Sequence, residues 1–299
     1  MQIIDILVSS ILSLIMFGVG LSLKIEEFVY VYRYPRAFFI ALTSQMIVLP
    51  MLAFFVVNIG SMSNEFKVGF IILAASPGGA TSGFVTHLFR ANVALSISLT
   101  TVNSFLTLFT IPFIVNFALH LFLGKSTSIV LPFWETFFHI LSIALIPATL
   151  GLLVHRYYPK WTKKIEKPAK YLMITLLAIV FTIKTFAGQD SGGTGLTIQE
   201  MKLILPSAFL LNVLCLIAGY MLLKLSGFRH PDSLTASIES GVHNTTLAFL
   251  VAGTILGSQE MVKPALVYSM FSFFTAVAFS FVSSKIANHS YNIRTLSND

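Results

Sequence analysis

The sequence has little charge and almost no cysteine. Of 299 residues only 10% are Asp, Glu, Lys or Arg, and just 12 are acidic. A soluble domain of this size carries roughly a quarter charged residues. The one cysteine, Cys215, excludes an internal disulfide and any cysteine-built metal centre. No low-complexity tract, run of like charge or separate polar segment interrupts the chain. The opening "MQIIDILVSSILSLIMFGVG" lacks the basic region and small-residue cleavage site of a leader, so it reads as a retained first helix. What is present is apolar: 56% hydrophobic residues and a mean hydropathy of +0.84. The expectation is one all-α integral membrane domain over 1–299.

A bilayer core about 30 Å thick needs about 20 apolar helical residues. Uncharged runs of that order fall at roughly 3–23, 37–58, 68–89, 93–116, 133–154, 170–188, 203–223, 232–256 and 264–284. Nine spans put the two ends of the chain on opposite sides. One set of loops holds only Lys67, Lys125, Lys184, Lys202 and Lys263 of the 19 Lys and Arg residues. The other set, from Lys24, Arg33 and Arg36 round to Lys285 and Arg294, holds the rest and is expected to be cytoplasmic. The N-terminus is then outside and the C-terminus inside, in the inner or plasma membrane. The net charge of +7 is topology, not a surface for nucleic acid.

Two spans are interrupted. The third carries "SPGGATSG" from Ser76, and the eighth reads "SIESGVHNTTLAFLVAG" from Ser237, with Glu239 near its middle. In lipid every backbone polar group needs an internal partner, so irregular backbone belongs beside protein or a wet cavity. Pro77 with Gly78 and Gly79 has an alternative reading as a kink with close helix packing. Glu239 is harder to explain away, because a carboxylate at the bilayer centre costs about 2.5–3.5 kcal/mol. Its alternative is a structural salt bridge, yet no Lys or Arg lies deep in a span to pair with it. The two breaks are five spans apart, so their helices run in opposite directions, as in inverted-topology repeats. Such repeats would cover about 1–124 and 125–286, with 287–299 as a tail.

Each second half-helix, from Ala80-Thr81-Ser82 and from Asn244-Thr245-Thr246, opens with free N–H groups and favours an anion. Each first half ends in unpaired carbonyls, near Ser76 and Ser240, and with Glu239 these favour a cation such as sodium or a proton. Gln45 lies mid-helix, and Ser96 and Thr100 are four apart and share a face. Taken singly, these three also read as helix glue.

Four stretches, in order, resemble the bile acid:sodium symporter family. They are "MFGVGLSL" from Met16, "PRAFFIALTSQMIVLPMLAF" from Pro35, "SPGGATSGFVTHLFRANVALSISLTTV" from Ser76 and "IESGVHNTTLA" from Ile238. The resemblance runs from about residue 13 to 284. It implies a core and a panel subdomain, with two sodium ions moved per organic anion by alternating access. One sodium site would use Ser82, Ser96, Thr100 and Glu239. The other would use Gln45, Glu239, the backbone of Ser240 and Val242, and His243. Ala80, Thr81, Asn244 and Thr245 would face the substrate. Three positions depart from the family pattern: Gly83 stands where it has Asn, His243 where it has Gln, and Ala80 where it has Thr. Because imidazole titrates near neutrality, His243 leaves open that the second cation is a proton or is absent.

The expected function is sodium-coupled import of a small organic anion such as a bile acid, pantoate or a 2-oxo acid. Sodium would be the coupling ion and there would be no cofactor. A proton-coupled or exporting carrier on the same fold is the alternative. An intramembrane enzyme using Ser82, His87, His243 or Glu239 is a third reading, although no hydrolase, zincin or cofactor-loop spacing is present.

Overall fold

A computed structural model describes residues 3–21, 35–124, 132–188 and 193–296. Lys24, Arg33 and Lys125, used above for orientation, lie outside them, as does the expected repeat boundary after 124. The described chain is helical and its order follows the expected runs. Helix α1 spans Ile3–Leu21, and α2 spans Pro35–Ile59. The first interrupted run is α3 (Asn64–Ala74) and α4 (Ala80–Leu88). Then come α5 (Val93–Leu123), α6 (Phe133–Tyr157), α7 (Pro159–Phe186) and α8 (Ile198–Leu225). The second interrupted run is α9 (His230–Gly241) and α10 (Thr245–Ile255), and α11 (Gln259–Leu296) closes the chain. Among the described residues five helices are long and apolar enough to cross a membrane: α2, α5, α6, α8 and the Gln259–Ala287 part of α11.

Local chemistry sets the helix ends. Ser63 caps α3 by accepting from Phe66 N at 3.3 Å, and Asn92 caps α5 through Leu95 N at 3.1 Å. Thr197 and Glu200 form a reciprocal capping box at the start of α8. Inside α2 and α6 the backbone opens into one π-turn each, Ser44–Val48 and Leu141–Leu145. Both lie just ahead of a proline, Pro50 and Pro147. The proline lacks an N–H and crowds the carbonyl four residues back, so the preceding turn widens. In α2 this turn contains Ser44 and Gln45, both fully buried.

Helix α1 packs on α6 and α7, whereas α3, α5, α8, α9 and α11 pack on one another. Glycine sets the closest approaches. A Cβ on Gly20 would stand 1.9 Å from the Ala148 carbonyl oxygen, and one on Gly151 would stand 2.2 Å from that of Phe17. The α1 and α6 backbones therefore touch, the small-residue packing that holds helices together without a hydrophobic drive. Outward faces carry exposed Phe55, Phe113, Phe117, Trp134, Phe138, Phe274 and Phe281. That much exposed aromatic surface would drive association in water and suits contact with lipid tails.

Candidate functional site

The two interruptions meet. After α3 the chain turns at Ala75 and Ser76 and reaches Pro77, and after α9 it passes through extended Val242 to His243. Pro77 and His243 form an antiparallel bridge, and Asn244 N donates to the Ser76 carbonyl at 2.8 Å. Gly78 takes φ +69°, which only glycine adopts without strain. A side chain there would crowd the carboxylate, since a Cβ would lie 3.1 Å from Glu239 Oε2 and 3.4 Å from Thr100 Oγ1.

Glu239 is fully buried at this crossing. Ser96 Oγ donates to its Oε1 at 2.5 Å, and Thr100 Oγ1 donates to its Oε2 at 3.0 Å. Ser82, also buried, lies near the same carboxylate, and its hydroxyl donates to Gly79 O at 2.6 Å. The salt-bridge alternative fails: the partners of Glu239 among the described residues are hydroxyls, and Lys263 pairs instead with Glu200 and Glu260, both at 2.6 Å. Lys184 is buried too, but its Nζ donates to Gln259 Oε1 at 3.2 Å.

Gln45 is brought into the same interior, where Asn103 Nδ2 donates to its Oε1. Ser240 Oγ lies 3.4 Å from Ser44 Oγ. His243 is held by a network absent from the motif reading. Asn212 Nδ2 and Tyr268 OH both donate to the Gly241 carbonyl, at 2.9 and 2.7 Å, and Asn212 also donates to the Tyr268 oxygen. With its proton committed to Gly241, the Tyr268 hydroxyl acts as acceptor toward His243 Nδ1 at 2.9 Å. That arrangement suits a proton on Nδ1, and Nε2 is the buried ring atom without a partner. The expected free carbonyls are thus partly corrected. The Ser76 carbonyl is taken by Asn244 N, and that of Gly241 by Asn212 and Tyr268, because a buried acceptor is costly if left alone.

A cavity of about 490 Å³ opens beside the crossing. Its lining takes in Gly79, Thr81, Thr100, His243, Asn244 and Thr245 from around the crossing. It also takes in Ile15, Met16 and Val19 of α1, Ala144, Leu145, Ala148, Thr149 and Leu152 of α6, and Leu177 of α7. No Lys, Arg, Asp or Glu is among its described lining residues. Asn244 caps α10 by accepting from Leu247 N at 3.0 Å. Of the residues expected to face substrate, Thr81, Asn244 and Thr245 therefore line the cavity. Ala80 opens α4, and its side chain lies outside the described residues.

The donors around Glu239 are all oxygen, a set that suits a hard cation. Among the described residues no group of His, Cys, Asp and Glu is arranged to hold a transition metal. Sequence reasoning missed Asn103, Asn212 and Tyr268. The signal for Asn103 was its place three residues after Thr100, on the same helix face. For Asn212 it was a lone amide inside the apolar run "AFLLNVLCL".

Residues 10–191 match the model of the Sodium Bile acid symporter family, a stretch that includes the first interrupted helix and ends before the second. A probable chloroplastic sodium/metabolite cotransporter of Oryza sativa subsp. japonica is 30% identical over 244 residues, covering 81% of this chain and 55% of the relative. An uncharacterised sodium-dependent transporter of Bacillus subtilis is 27% identical, covering 81% of this chain and 72% of the relative. The ileal sodium/bile acid cotransporter of Homo sapiens is 23% identical over 279 residues, covering 90% and 76%. The chain thus spans little more than half the length of the rice relative. The family and these relatives are transporters, not enzymes.

Proposed function

The chain belongs to the sodium bile acid symporter family, and from that membership we propose that it carries a small organic anion inward together with sodium by alternating access. The observation that carries this reading is Glu239, buried where two broken helices cross, bonded by hydroxyls and without a cationic partner among the described ion pairs. An isolated buried carboxylate is strongly disfavoured, and a bound cation removes that cost. The hydroxyls of Ser82, Ser96 and Thr100 can rotate to offer lone pairs to a cation. Together with Glu239 they form the first proposed sodium site. Gln45, Glu239, the backbone of Ser240 and Val242, and His243 form the second, with His243 Nε2 as its weakest donor for a hard ion.

The anion's carboxylate would sit at the polar end of the cavity, against the N-termini of α4 and α10 and the side chains of Thr81, Asn244 and Thr245. Its apolar body would lie against α1, α6 and α7. A bile acid, pantoate and a 2-oxo acid all have that form, and the uncharged lining favours an anion held by dipoles. In this reading the nine helical crossings form two inverted repeats, about 1–124 and 125–286, with the N-terminus outside and the C-terminus in the cytoplasm. The α1, α6 and α7 cluster is the panel, moving against the rest.

The test is the melting temperature of detergent-purified protein in sodium chloride and in choline chloride at equal ionic strength. A ligand that binds only the folded state adds about 1.4 kcal/mol at ten times its Kd. A saturable rise with sodium supports the reading, and a flat response sinks sodium coupling in favour of proton coupling.

A further inference from the structure

Beside Glu239 two amides are paired in a way that leaves polar atoms without partners. Gln45 and Asn103 are both fully buried and bonded to each other, yet Gln45 Nε2 and Asn103 Oδ1 have no hydrogen-bond partner. A half-turn of both amides exchanges oxygen and nitrogen and keeps the bond between them. In either arrangement one carbonyl oxygen and one NH2 are left over. A half-turn of only one would set like atoms against each other. Buried side-chain acceptors are nearly always satisfied, and an orphan carries a full desolvation penalty.

The pair lies where the cation donors converge. A point one Cβ bond from Gly78 is 3.1 Å from Glu239 Oε2, 3.4 Å from Thr100 Oγ1 and 3.7 Å from Asn103 Nδ2, the place its oxygen takes when both amides turn. Thr100 and Asn103 are three apart in α5 and point to the same face. On the opposite side, Gly83 brings no side chain to the group. A Cβ there would meet Ser96 Oγ at 3.8 Å and nothing else within 4 Å.

We propose that Asn103, paired with Gln45, is a coordinating residue of the cation site, supplying the neutral amide oxygen that Gly83 does not. This rests on the sodium-coupled reading above. The occupant is a monovalent hard cation, because the set offers one carboxylate with hydroxyl and amide oxygens. The amide pair spans α2 and α5, so a cation held between it and Glu239 ties the π-turn of α2 to the crossing of the broken helices.

The test compares wild type, Asn103→Ala, Asn103→Asp and the double variant Asn103→Ala with Gly83→Asn. The melting temperature in choline chloride reports packing, and the sodium-dependent increment reports the site. Asn103→Ala is expected to raise the sodium midpoint at least tenfold. Gly83→Asn is expected to return it toward the wild-type value in the double variant, which a purely structural role would not allow. Asn103→Asp keeps an oxygen in place and is expected to retain the response, and it is the variant to read if the alanine protein does not fold. A wild-type midpoint in Asn103→Ala, or a folded Asn103→Asp that no longer responds, overturns the assignment while the sodium-coupled reading stands. No response in the wild type overturns both.

Discussion

Replacing Gly78 by alanine isolates what the crossing demands of its backbone. The substitution brings two costs. The first is the left-handed conformation, φ +69°, which an L side chain adopts at about 1–2 kcal/mol. The second is the new Cβ, 3.1 Å from Glu239 Oε2, so the carboxylate must retreat by a few tenths of an ångström. Its bonds from Ser96 and Thr100 are 2.5 and 3.0 Å long, and the retreat strains the longer one most. Losing one hydrogen bond to a charged group adds about 1.5–3 kcal/mol. Gly227 is the control: its φ is +85°, and a Cβ there meets nothing within 4 Å. Gly227→Ala should therefore cost only the conformational part, about 1–2 kcal/mol, and leave sodium binding alone. Thermal unfolding of both variants across a sodium titration measures the difference. Gly78→Ala should melt below Gly227→Ala and bind sodium more weakly. Equal melting temperatures with equal sodium midpoints would refute the described contact between Gly78 and the carboxylate.

Other perturbations have equally definite outcomes. Tyr268→Phe removes the hydroxyl shared by Gly241, Asn212 and His243, and should cost about 1–3 kcal/mol for each polar group left unpaired, read by denaturation. Gly20→Val drives a side chain into the Ala148 carbonyl and should abolish a monodisperse peak in size-exclusion chromatography; a well-behaved protein would contradict the α1–α6 packing. Lys263→Met removes the cation that Glu200 and Glu260 both contact. Because those acids are partly exposed, the loss should fall below the about 3–5 kcal/mol of a fully buried pair. If two sodium ions accompany one monovalent anion, a negative interior potential should drive uptake by about 2.3 kcal/mol per 100 mV, visible as a valinomycin-dependent rate.

The sequence carried the parts of the fold that composition alone dictates. Uncharged runs located the helices because lipid forbids charge over that length, and Pro77-Gly78-Gly79 and Glu239 marked the breaks because both violate that rule. The five-span spacing sets the two breaks in oppositely running helices, and in the structure Pro77 and His243 form an antiparallel bridge. The partners that satisfy the buried groups were not legible. Tyr268 looks like any aromatic in an apolar helix until its hydroxyl is found on Gly241, and Asn103 looks like helix glue until its amide meets Gln45 from a distant helix. The π-turn that contains Gln45 was equally hidden, since Pro50 alone signals only a kink. Long-range pairing leaves no local pattern in a chain whose helices all read as apolar.

The central claim is that Glu239 couples a cation to the movement of an organic anion. Its most direct test is uptake into proteoliposomes under an inward sodium gradient, with choline replacing sodium in the control. Radiolabelled pantoate, a short 2-oxo acid and a bile acid serve as probes. Wild type is expected to accumulate at least one of them above equilibrium only with the gradient, and folded Glu239→Gln is expected to accumulate none. Sodium-driven accumulation by Glu239→Gln at the wild-type level would contradict the claim.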